Sequence, residues 1–169
     1  MPTSAALQTP TGNIRLIRKE DNAAVASIIR EVLTSFGCTG EGFAIHDPEV
    51  DRMFETYQLP RSRYFVIERD GIVVGCGGVA PLKGGNEDIC ELQKYYILPE
   101  FRGFGYGKQI LDLSLNAAKE FGFKRCYLET LPFMKVATAL YERAGFIRID
   151  GSMGATGHHG CDRWYIKEL

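Results

Sequence analysis

Apolar and charged positions alternate over residues 13–18, the pattern of a strand with one buried face. Asp21 then stands where a helix N-cap belongs. Val25, Ile28, Ile29, Val32, Leu33 and Phe36 recur at helical spacing before a stop at Gly37. Residues 38–46 contain glycine and lack a period, which predicts a surface loop. A second short helix is expected after Asp47, with Pro48 in its first turn and its end near Tyr57. Two runs rich in aromatic and β-branched residues, 64–68 and 72–79, flank Asp70-Gly71, a dipeptide that favours a tight hairpin.

A glycine-rich turn at 83–86 leads to a strand over 89–98, closed by Pro99. Residues 105–121 read as a helix with Ile110, Leu111, Leu115, Ala118 and Phe121 inward. A short strand at 126–129, a short helix at 134–144 and final strands at 146–149 and 164–166 complete the chain. This order predicts an α+β (mixed α/β) fold with a largely antiparallel, partly split sheet flanked by helices. Neither an internal repeat nor a dividing linker is visible, so residues 13–169 read as one domain and 1–12 as a short disordered tail.

Composition changes the picture mainly by exclusion. Hydrophobic residues make up 45% of the 169, enough for a substantial core. Twenty basic residues against 21 acidic leave a net charge of -1, which points neither to nucleic acid nor to a solvating acidic tail. A membrane span needs roughly 18 or more consecutive apolar residues, and the sequence has no such run. The Thr/Ser/Pro-rich start lacks Lys and Arg, so it does not read as a signal peptide. The five scattered cysteines form no C-x-x-C pair and suggest reduced thiols in a cytoplasmic protein.

The segment Arg102-Gly103-Phe104-Gly105-Tyr106-Gly107-Lys108 lies between an apolar strand and a helix. Its three glycines permit a tight turn and close backbone approach to a ligand. The helix that follows offers unpaired amides and a positive dipole end to a phosphate. Gln109 after the lysine rules out a P-loop, and the glycine spacing misses the dinucleotide fingerprint by one place. On this segment alone, phosphate binding and a simple structural turn are equal alternatives.

Residues 91–107, ELQKYYILPEFRGFGYG, resemble the fourth strand and pyrophosphate loop of GNAT (GCN-five-related N-acetyltransferase) enzymes, whose loop reads R-x-x-G-x-G/A. Residues 140–146, LYERAGF, are similar to the superfamily's L-Y-E-x-x-G-F ending, and the 64–79 hairpin is similar to its second and third strands. The resemblance spans roughly residues 13–169. It implies a central, mostly antiparallel, partly splayed sheet of about seven strands with about four helices, and acetyl-CoA as co-substrate. It also implies that the backbone of Tyr96, Ile97 and Leu98 pairs with the pantetheine arm, and that amides of Arg102, Gly103, Phe104, Gly105, Tyr106, Gly107 and Lys108 hold the pyrophosphate. Met134 stands where the family often has a pantetheine-holding asparagine, so Leu128 to Thr130 are expected to supply backbone contacts instead.

Amine acetylation sets the chemical requirement. An alkyl amine with a pKa of about 10.4 must lose a proton, which costs about 4–5 kcal/mol at pH 7. A thiolate leaves more easily, so the base should matter more than the acid. By motif position, the resemblance makes Tyr141 the acid, against a plain packing role on the last helix. Glu91 matches the carboxylate some relatives use as base, directly or through water. A rim carboxylate, with water chains removing the proton, is the alternative. Strict alternation would put Glu91, Gln93, Tyr95 and Ile97 on one strand face. His158, His159 and Cys161 lack further zinc ligands at suitable spacing, so the expectation is a glycine-rich loop with solvent-exposed histidines and no metal. Cys126, in an apolar strand, reads as a buried structural thiol.

The acceptor should be framed by residues 37–57, 131–135 and 150–162. A small-molecule or peptide amine is expected, with no nucleic acid or membrane partner, and a homodimer is left open. The competing reading is a non-catalytic acyl-CoA-binding sensor.

Overall fold

The computed structural model describes residues 12–169. The tail expected over residues 1–12 lies, but for Gly12, outside the described residues. Seven strands form one sheet in the order β1-β2-β3-β4-β5-β7-β6. They are β1 (Asn13–Leu16), β2 (Arg63–Arg69), β3 (Ile72–Pro81), β4 (Ile89–Ile97), β5 (Arg125–Thr130), β6 (Ile147–Ile149) and β7 (Arg163–Glu168). The α-helices are α1 (Asn22–Ser35), α2 (Met53–Thr56), α3 (Tyr106–Glu120) and α4 (Lys135–Arg143). Every strand pairing is antiparallel except β4 with β5. This is the mixed, mostly antiparallel architecture expected from the sequence. No helix among the described residues is long and apolar enough to cross a membrane.

The helices bury their apolar stripes on opposite faces of the sheet. Val25, Ile28, Ile29, Val32 and Leu33 of α1 join Met53 of α2 and Val66 and Cys76 of the sheet in one core. Leu111 and Leu115 of α3 and Tyr141 of α4 pack with Leu92, Cys126 and Leu128 on the other side. Cys126 is fully buried there, opposite Cys90, as a structural thiol should be.

Asp21 does precede α1, but its carboxylate makes no cap bond. It is buried and instead takes two bonds from Arg15 (2.8 and 3.0 Å) and one from the Arg18 amide (2.7 Å). The Arg18 bond caps the 3-10 turn over 19–21, and the Arg15 bonds anchor β1 to the start of α1. The single helix expected after Pro48 is a 3-10 turn, Val50–Arg52, followed by one turn of α-helix.

The β2–β3 hairpin turns at Asp70 and Gly71 with φ of +53° and +77°, both left-handed, as a type I′ turn requires. A methyl group at Gly71 would meet open space, so Gly71→Ala isolates the backbone cost. The substitution should lower stability by about 1 kcal/mol in urea unfolding. Unchanged stability would mean that the hairpin tolerates another turn geometry.

Candidate active site

The parallel seam between β4 and β5 is short. Ile89, Cys90 and Glu91 face Arg125, Cys126 and Tyr127, and the pairing then stops. Just beyond, β4 carries a bulge: its register against β3 shifts, and Lys94 adopts φ +46°. Such an extra residue bends a strand and re-aims its side chains. Past the seam lies a cleft of about 1100 Å³ lined from both strands, α1, α3 and α4.

The bulge corrects the alternation expected for β4. Gln93 reaches Tyr57, Lys94 reaches the 47–49 segment, and Tyr96 packs with the α1 core. Tyr95 and Ile97 lie on the opposite, α3 face with Ile110. Glu91 and Gln93 therefore share the α1 side with Lys94 and Tyr96, not with Tyr95 and Ile97.

Glu91 is only 4% exposed. Burial pushes its carboxyl up to about 7, helped by the Glu129 charge and opposed by a hydrogen bond from Gln93 Nε2 (2.8 Å). Gln93 Oε1 in turn accepts from the Tyr57 hydroxyl at 2.6 Å, which fixes the amide orientation.

Glu91, Glu129 and His158 bring ligand-type atoms within 4.8 Å of one another. Each of these side chains already has a protein partner. Glu129 accepts from Tyr127 (2.9 Å) and Thr156 (2.9 and 3.1 Å), and His158 Nε2 lies 2.8 Å from Asp47. These bonds join β4, β5 and the β6–β7 loop in one network.

His158 is thus not on an exposed loop, as the sequence suggested. Its side chain is 17% exposed, while His159 does remain at the surface. Burial disfavours the charged imidazole, but the Asp47 carboxylate outweighs it and raises the His158 pKa. Asp47 also pairs with Lys94 at 2.7 Å, and Glu49 pairs with Lys94 at 3.0 Å. Burial opposes ionisation of Asp47 and of Lys94, yet their mutual contacts shift Asp47 down and Lys94 up. These contacts staple the segment before α2 and the β6–β7 loop to β4.

The glycine turn takes the predicted form. Gly103 and Gly105 hold φ of +82° and +83°, and Gly105 occupies the N-cap of α3. Intrahelical bonding begins with the Gln109 amide on the Gly105 carbonyl, so the amides of Tyr106, Gly107 and Lys108 precede the first helical bond. Phe104 is exposed beside Arg69, whereas the Tyr106 side chain is buried under the sheet. Gly107 also answers a packing demand. A Cβ there would lie 2.6 Å from the Tyr95 hydroxyl, so packing demands this glycine.

Two β4 backbone groups named for the pantetheine arm have partners within the protein. The Leu98 amide donates to Val74 on β3, and the Ile97 carbonyl accepts from Arg102 Nε at 2.9 Å. The Leu98 amide is thereby engaged, the Ile97 carbonyl keeps a second lone pair, and Leu128 and Thr130 line the cleft. Thr130 Oγ1 contacts Met134 Sδ at 3.6 Å, so the methionine fills space where the amide of an asparagine would have offered a donor. Tyr141 lines the cleft too, 6% exposed, with its phenol pushed up by burial.

Lys94, Glu129 and Tyr57 were not singled out by sequence as parts of one site. Asp47 and His158 are 111 positions apart, and no periodic signal links them.

An open strand seam, a glycine turn at a helix start and a buried carboxyl near 7 suit an extended phosphorylated thioester beside a proton acceptor. Comparison with known proteins agrees. The model of the Acetyltransferase (GNAT) family matches residues 25–146. The chain is 46% identical over 165 residues to the uncharacterized N-acetyltransferase YjgM of Escherichia coli (strain K12), covering 97% of this chain and 98% of that one. A GNAT-family acetyltransferase from Staphylococcus aureus Mu50 superposes with a TM-score of 0.82 at 18% identity, over 94% of this chain and 99% of the other. The yncA structure from Salmonella typhimurium, solved with its cofactor acetyl-CoA, superposes at 0.73 with 20% identity, over 94% of each chain. The chain belongs to the GNAT acetyltransferase family.

Proposed function

We propose that this protein transfers the acetyl group of acetyl-CoA to a primary amine of a small molecule or peptide, by direct attack in a ternary complex. The observation that carries this reading is Glu91, a buried carboxyl raised to about 7 at the point where β4 and β5 part. A base of that pKa is half ionised at neutral pH, close to the best compromise between availability and strength. Acetyl-CoA supplies an already activated acyl group, so no covalent enzyme intermediate is needed.

Glu91 takes the ammonium proton, directly or through one water, as the amine nitrogen bonds to the acyl carbon. Gln93 and Tyr57 hold the carboxylate in place. Tyr141 gives its proton to the departing sulfur as the carbon–sulfur bond breaks, the second proton shed by the nitrogen restores the phenol, and the amides at the start of α3 hold phosphate oxygens.

The acceptor end supports a cationic amine. Four carboxyl side chains, Asp47, Glu49, Glu91 and Glu129, gather around Lys94 and His158 at this end of the cleft. Phe36, Phe43 and Phe133 wall the cleft and favour an acceptor with an apolar body.

Calorimetric titration with acetyl-CoA, followed by thiol release against an amine panel, tests the proposal. Binding with amine-dependent thiol release is expected. Binding without turnover on any amine would favour a sensor, and no binding would remove both readings.

Tyr141→Phe should lower kcat about tenfold while acetyl-CoA affinity stays within about twofold, because a thiol of pKa about 8.5 leaves with little help. An unchanged kcat would reduce Tyr141 to a packing aromatic.

A further inference from the structure

Among the described residues, three buried side-chain polar atoms lack a hydrogen-bond partner: Asp88 Oδ1, Ser114 Oγ and the Tyr95 hydroxyl. Only Tyr95 belongs to the lining of the cleft. Its ring packs against Tyr141, with centroids 5.9 Å apart, and lies on the α3 face of β4 with Ile110. Its oxygen reaches the first turn of α3 at Gly107, where a Cβ would come within 2.6 Å. Gly107 and the tyrosine are thus matched: the missing side chain admits the hydroxyl.

A phenol held this way is costly, since a phenylalanine would pack equally well without burying an unpaired donor. Burial, with Tyr141 and Asp112 adding to it, drives the phenol's pKa further up, so the group stays protonated and can donate. It points to a place where α3 also presents amides ahead of its first helical bond.

We propose that the Tyr95 hydroxyl donates a hydrogen bond to an oxygen of bound acetyl-CoA, in the stretch that joins the pantetheine arm to the pyrophosphate. This assignment rests on acetyl-CoA being the ligand of the cleft. The unpaired donor is held at the first turn of α3, in the room that the missing Gly107 side chain leaves for it.

The test is Tyr95→Phe, read by calorimetry and by thermal unfolding of the ligand-free protein. Two opposite shifts are expected. Acetyl-CoA should bind about tenfold more weakly, the loss of one donor to an oxygen that is charged or strongly polar. The ligand-free variant should melt at a higher temperature than wild type, because an unsatisfied buried group is gone. Acetyl-pantetheine, which lacks the pyrophosphate, locates the acceptor. An equal loss places it on the pantetheine arm, and a loss confined to acetyl-CoA places it on a phosphate.

Gly107→Ala should weaken acetyl-CoA binding in wild type and do so less in the Tyr95→Phe background, where no hydroxyl meets the new methyl. Unchanged affinity in Tyr95→Phe overturns the assignment. A lower melting temperature with unchanged affinity would do so as well, showing a partner within the protein. If wild type itself fails to bind acetyl-CoA, the proposed function falls and takes this assignment with it.

Discussion

Glu91→Gln is expected to reduce kcat/KM by about 10²–10³-fold and to abolish the acid limb of the pH–rate profile. In the wild type, kcat/KM should fall about tenfold per unit as pH drops below the Glu91 carboxyl's value of about 7. The glutamine variant has no group to protonate there, so its profile should lack that limb. Its stability should move the other way. The folded carboxyl titrates near 7, above its ordinary 4.5, so the native state binds more protons than the unfolded chain between those values. Wild-type stability therefore drops as pH rises through that window, by on the order of 3 kcal/mol in all. Glu91→Gln escapes this cost and should exceed wild type in urea unfolding at pH 8, with little difference at pH 4.5. A limb that survives the substitution would assign proton removal to a water chain or to His158.

Lys94→Ala should cost about 3 kcal/mol at pH 7. The ammonium, 4% exposed, is held between Asp47 and Glu49, and its loss leaves two partly buried carboxylates facing each other without compensation. The low pKa of Asp47 means that this pairing is present at neutral pH and is lost only as acid protonates Asp47. Lys94→Gly separates charge from backbone. It loses the same ion pairs but relieves the left-handed φ of +46°, so it should be about 1 kcal/mol less damaging than alanine. Urea unfolding of both variants measures the difference. If Lys94→Ala lies within about 0.5 kcal/mol of wild type, the stapling role assigned to these ion pairs is wrong.

Much of the fold is legible in local signals. The Asp70-Gly71 turn, the inward residues of α1 and α3, and the strand ends follow from periodicity and turn chemistry, which act over a few residues. The glycine turn before α3 is legible for the same reason, since positive φ at Gly103 and Gly105 is a demand of local backbone geometry. Asp21 shows where a local signal misleads. Its position is that of a cap, yet its side chain answers to Arg15 on β1.

The sequence by itself determined the element order, the apolar stripes and a phosphate-suited turn, because each is written within a window of a few to fifteen residues. It also placed Glu91 and Tyr141 in segments resembling those of known acetyltransferases. Only the tertiary structure decided which side chains share the site. A single extra residue at Lys94 rotates the end of β4, sends Tyr95 to the α3 face and brings Lys94 to Asp47 and Glu49. It likewise drew His158 out of solvent onto Asp47, and set Gly107 against the Tyr95 hydroxyl. These pairings depend on packing between distant segments, where register and burial decide and no local pattern reaches.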